Sequence, residues 1–213
     1  LLPSELSPNL RSYFRNITPF NPDLVINKVL DSEHVEGYVA SNLKIDVPFL
    51  SAFGLQKSSR FESAMLVPDN TSFFIRTSFT DGSQMGLNLN VYLKKKDADW
   101  LMKKDSASRL IEKDITQLIG LMNREAIFCE METVAEEPSQ KIALFYSETP
   151  EKLIGMMDDY AVAAERFQAV KSQPFSLFNR VVRKIEVADL PAMLFGSTFA
   201  GFNECYYTQI NNH

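Results

Sequence analysis

The chain has 213 residues, a formal net charge of −5 and a hydrophobic content of 45%, enough apolar material for one sizeable core. This acidic balance argues against general affinity for nucleic acid or anionic membranes, and no apolar run reaches the ~20 residues a membrane helix needs. Eight glycines and two cysteines, Cys129 and Cys205, leave no Gly-rich phosphate cradle and no disulfide framework; reduced thiols make a cytoplasmic location the expectation.

Taken in chain order, Ser7-Pro8 places an N-cap before a proline at the first helical position and opens a helix through Leu10, Tyr13 and Phe14. Asn21-Pro22 opens a second, through Leu24, Val25, Val29 and Leu30. Within 35–47, Leu43, Ile45 and Val47 alternate with Lys44 and Asp46 and predict a strand ended by Pro48. A meander comes next. Its first strand is Phe61–Val67, turned by Pro68-Asp69-Asn70 into a hairpin of Thr71–Phe79 with Met85–Leu93. A two-residue loop would send the two apolar sets of that hairpin to opposite faces. The predicted connection is therefore the three-residue loop Thr80-Asp81-Gly82, with Gly82 left-handed.

The stretch 97–123 reads as helical, with a break near Asp105 and a stripe of Leu110, Ile111, Ile115, Leu118, Ile119 and Met122. Ile127, Cys129 and Met131 alternate in one strand and Ile142, Leu144 and Tyr146 in the next, joined through Glu136-Glu137-Pro138-Ser139. Thr149-Pro150-Glu151 caps a helix running to about Val170. Beyond it, 174–185 fits a helix presenting Leu177, Phe178, Val181, Val182 and Ile185, with a strand over Arg180–Val187 as the alternative. Asp189-Leu190-Pro191 starts a further helix through Phe195 and Phe199, and 203–210 is a terminal strand. The fold class is α+β: an antiparallel sheet, meander plus hairpin, packed against long amphipathic helices. One domain spans 1–213, with 172–213 as an aromatic-rich extension or interface element.

No catalytic constellation stands out. The histidines are His34 and the terminal His213, too few for nucleophilic triads or a zinc site, and no cofactor is implied. Glu130 and Glu132 share a strand face, and Asp97/Asp99 and Asp158/Asp159 form close pairs; these are the candidates for carboxylate chemistry. Cys129, between apolar neighbours, reads as a buried small hydrophobe. Lysines 94–96, 103 and 104 flank the single Trp100, but Asp97 and Asp99 offset them, so no specific nucleic-acid site is expected. Charge is uneven: 94–124 carries 8 basic and 5 acidic residues, 125–171 carries 4 and 10.

The amphipathic helix ending at Asn123, the hairpin 126–147 and the helix opened by Thr149-Pro150-Glu151 resemble, in element order, the small acidic chaperones of type III secretion and the YbjN-like proteins. The resemblance implies a homodimer that binds an extended partner segment. The leading expectation is a non-catalytic protein-binding module: an adaptor, chaperone or assembly subunit. Phe195, Phe199, Phe202, Tyr206 and Tyr207 are its candidate partner-binding residues. The alternatives are a carrier of apolar small ligands or lipids and a carboxylate-based enzyme.

Overall fold

The computed structural model describes residues 24–28, 35–39, 52–53, 56–57, 60–96, 98–132, 140–166 and 173–210. Its first elements, β1 (Leu24–Lys28) and β2 (Val35–Val39), pair antiparallel. The segment after Asn21-Pro22 is thus a strand where a helix was expected; adjacent Val25 and Ile26 are β-branched and favour the pleat. The helix expected at 7–14 and the alternating residues 43–47 lie outside the described residues.

Strand β3 (Thr71–Phe79) forms as predicted, but its partner does not. Residues 82–96 are a helix, α1 (Gly82–Lys96), and β3 pairs with β4 (Arg124–Met131), placing Ile75 beside Phe128 and Thr77 beside Ala126. The period decides it. Met85, Leu89, Tyr92 and Leu93 are buried at helical spacing, whereas Leu87 and Val91, which a strand would have turned inward, are 64% and 52% exposed. Asp81 ends β3 and caps the helix: its Oδ1 accepts from the Gln84 N–H at 2.9 Å. Gly82 serves close approach and not a left-handed turn. A Cβ there would lie 2.0 Å from the Ile119 carbonyl oxygen and 2.1 Å from that of Met122.

The next helices are α2 (Ala98–Leu110) and the single turn α3 (Gln117–Gly120). The helix passes through Asp105, and the break falls at 111–116 instead. There Asp114 Oδ1 accepts from the Thr116 N–H at 2.9 Å and from its hydroxyl at 2.7 Å, an Asx turn that competes with helix. The expected apolar stripe is kept across the break, with Ile111, Ile115, Leu118, Ile119 and Met122 all buried.

Strand β5 (Lys141–Phe145) pairs with β4, so the sheet order is β3-β4-β5 with β4 in the middle. Residues 125–131 of β4 are buried without interruption, because both faces of the sheet are covered. Ala126 and Phe128 face the main core, while Ile127, Cys129 and Met131 join Leu144 under Phe61, Leu66 and Val67. The expected strand 61–67 is therefore not part of the ladder. It lies over the back face with a 3-10 turn at Ser63–Leu66. Glu125 pins it there, accepting from the Ser63 N–H at 2.7 Å and from Arg76 Nε at 2.6 Å.

Helix α4 (Pro150–Glu165) starts at Pro150, as its sequence predicts, and buries Leu153, Tyr160, Ala161, Ala163 and Ala164. The last elements are β6 (Phe175–Leu177), β7 (Arg180–Ile185), α5 (Leu190–Phe195) and β8 (Cys205–Tyr207). They form a second three-stranded antiparallel sheet, order β6-β7-β8. The helix expected over 174–185 is a hairpin, and the strand alternative over 180–187 is the one realised. Helices together with wholly antiparallel sheets make the fold α+β.

Candidate functional site

The C-terminal sheet carries the most concentrated exposed apolar surface among the described residues, and its construction explains why. Its inner face is anchored. Arg183 Nε forms an ion pair with Asp158 Oδ1 on α4 at 3.2 Å, and the Tyr207 hydroxyl donates to the same oxygen at 2.7 Å. Burial and that bond to Asp158 push the Tyr207 phenol above its ordinary range. Ile185 and Cys205, adjacent in the ladder, enter the main core. Burial pushes the Cys205 thiol up to about 11, so it stays protonated and unreactive.

The segment between β7 and β8 also belongs to the core. Asp189 has a left-handed φ of 55° and accepts from the Gly201 and Phe202 amides at 2.7 Å each, which closes the loop around α5. Phe195 stacks on Phe145 at 5.6 Å and lies 5.0 Å from Phe199, which meets Phe128 edge-on at 5.7 Å. Phe202 takes the other edge contact with Phe128, at 6.1 Å. Three of the five residues expected to bind a partner therefore pack against the first sheet. Phe195 and Phe199 are buried, and Phe202 is half-buried. Tyr207 is half-buried against α4.

Tyr206 alone of the five stands in solvent, 52% exposed on the outer face. Its ring meets Phe175 edge-on at 6.1 Å. Lys184 beneath it bridges Glu186 and Glu204 at 3.0 Å each, and these bonds raise its ammonium above the ordinary lysine range. Around Tyr206 the outer face exposes Phe175 and Leu177, with Phe178 at the tip, while the exposed Val181 lies on the face of Arg183; the sequence pattern places Leu177, Phe178 and Val181 on a helix face. Leu177 and Arg180 close a two-residue turn in which both Phe178 and Asn179 have positive φ, 48° and 60°, the type I′ pattern. Asparagine tolerates that conformation; a bulky aromatic does so at a cost of order 1–2 kcal/mol. Phe178 bears this strain while 89% exposed, with no ring or ion contact to compensate it among the described residues. The readable signal was the Phe178-Asn179 pair between two apolar runs, masked because the same residues also satisfy a helical stripe.

The other candidates are not brought together. Glu130 is nine-tenths buried on the core face beside Phe73, whereas Glu132 is exposed beyond the end of β4. Asp159 is held by Lys113 at 2.9 Å, while Asp158 serves the anchor above. Burial pushes the Cys129 thiol up, against a weaker opposing bond from Thr71. No three potential metal ligands cluster among the described residues, and no described helix is long and apolar enough to cross a membrane. Asp97, His34 and His213 lie outside the described residues. A scan against family models, and searches of curated proteins and of solved structures, found no match to this chain.

Proposed function

We propose that the chain is a non-catalytic protein-binding module, an adaptor, chaperone or assembly subunit, that engages its partner through the outer face of the C-terminal sheet. One observation carries this reading: Phe178 is both conformationally strained and exposed at a hairpin tip. Backbone strain of this kind clusters at functional positions, and an aromatic at a tip is suited to filling a pocket on another protein. Burying that ring would contribute about 2 kcal/mol, and Phe175, Leu177 and Tyr206 extend the apolar surface behind it. The likeness to type III secretion chaperones supports the same class of activity over 108–170 only. Upstream of it the described strands are β1, β2 and β3, and the expected strand Met85–Leu93 is part of helix α1.

A photo-crosslinking amino acid at position 178 of the full chain, irradiated in cells, tests the proposal. A discrete protein adduct at 178, absent when the same group replaces Lys103 on the exposed side of α2, is the expected result. Equal labelling at the two positions, or none at 178, overturns it.

A further inference from the structure

We infer that the partner seated on this face is a second copy of the chain, paired antiparallel through β6; the inference rests on the protein-binding reading above and names its occupant. Among the described residues, strand β6 pairs with β7 on one side only and is an edge of its sheet. In the turn, the Leu177 carbonyl accepts from the Arg180 N–H, so the backbone groups of Leu177 point towards β7. By alternation Phe175 also points inward, and Ser176 directs its N–H and C=O away from the sheet. A two-fold axis at Ser176 lets two Ser176 residues exchange both hydrogen bonds, as the hydrogen-bonded pair of an antiparallel ladder does.

The side chains suit that axis. In this register Phe175 of one copy lies opposite Leu177 of the other, and Ser176 opposite Ser176. Phe175 and Leu177 lie on the same face of β6, so the pairing makes two identical apolar cross-strand contacts. The tip residue Phe178 then reaches towards the Pro174 end of the second copy.

Charge favours a copy over an oppositely charged partner. Residues 173–179 carry no charge at all. Arg180 donates to the carbonyls of Gln209 and Ile210, Arg183 is paired with Asp158, and Lys184 with Glu186 and Glu204. The patch is thus neutralised within its own chain, and two copies meet there without like-charge repulsion, although each carries a net −5. Within Phe175–Leu177 the edge carries no charged side chain that would hold a second copy off.

Light scattering after size-exclusion chromatography at about 100 μM, where a micromolar dimer is well populated, tests the inference on the full chain. Wild type is expected at twice 24.2 kDa. Ser176→Pro removes the outward N–H and leaves the Leu177–Arg180 turn intact, and is expected at the single mass with an unchanged circular dichroism spectrum. Should it misfold, Phe178→Gly replaces it: glycine accepts the left-handed turn without strain, removes the tip contact and is expected to shift the dimer at least tenfold towards monomer. A wild type that is monomeric at this concentration, or a dimer that both folded variants leave intact, overturns the inference. A monomer that still crosslinks at 178 to a different protein overturns the second copy while leaving the protein-binding reading standing.

Discussion

Glu125 illustrates how one buried charge fixes a segment that has no ladder of its own. Its carboxylate is 1% exposed. Burial by itself would raise its pKa, but the bonds from Ser63 and Arg76 outweigh this and hold it below the usual glutamate range. The Arg76 guanidinium in turn covers the Phe61 ring at 4.9 Å and donates to the Arg60 carbonyl at 2.8 Å, so one ion pair fastens 60–63 to the sheet. Glu125→Gln should lower the unfolding free energy by about 2–3 kcal/mol, because it leaves Arg76 without its counter-charge. A carboxylate whose folded pKa is depressed contributes stability above the unfolded value. That contribution is lost as pH falls below 4.5 towards the depressed folded value. Chemical denaturation of wild type and Glu125→Gln from pH 7 to pH 3 should therefore show two stabilities that converge at the acid end. Gly82 and Gly155 offer a matched pair at the same scale. Gly82→Ala drives a methyl into two carbonyls of 119 and 122 and should destabilise by about 2 kcal/mol despite alanine's better helix propensity. Gly155→Ala, in α4 with nothing within 4 Å of the new methyl, should stabilise by roughly 0.5–1 kcal/mol; thermal melts of both variants check the opposite signs.

At the level of elements, those declared by chemistry at their ends were legible. Pro150 opens α4, Leu190-Pro191 opens α5, and the alternation at 127–131 and 142–144 marks β4 and β5. Elements whose apolar residues satisfy two periods at once were not. In 85–93 every odd position is apolar, yet 85, 89, 92 and 93 also trace a helix, and only Asp81 with Gln84 three residues later distinguishes them. The same ambiguity at 177–185 hid the hairpin that carries the candidate site. Pairing was less legible still, since β3 finds β4 some 50 residues on and nothing local specifies so distant a neighbour. The aromatic residues of 195–207 were visible as a group from the start. Which of them the core would take depends on how the Asp189 loop folds back, and only Tyr206 is left to solvent.

For the molecule as a whole, the consequence is that the C-terminal segment is an integral part of the core. Val187, Leu190, Met193, Leu194, Phe195 and Phe199 lie in the same cluster as residues from α1, α2, α3, β4 and α4. A chain ending at Lys171 loses all of them and should show no cooperative melting transition by calorimetry, whereas a retained sharp transition would mean that the first 171 residues fold alone. The proposed binding face and part of the core are consequently built from one stretch of sequence. Truncating the chain ahead of the hairpin would remove core residues and the proposed binding face together, so single substitutions at the hairpin tip are the appropriate tool for testing function.

The indole of Trp100, the only tryptophan, donates its Nε1–H to the Met193 carbonyl at 3.0 Å, across 93 positions of sequence. The chain therefore carries its own optical reporter: Trp100 emission, excited without any label, reads whether the last helix is docked, and its shift to longer wavelength would time the arrival or departure of the C-terminal segment during folding.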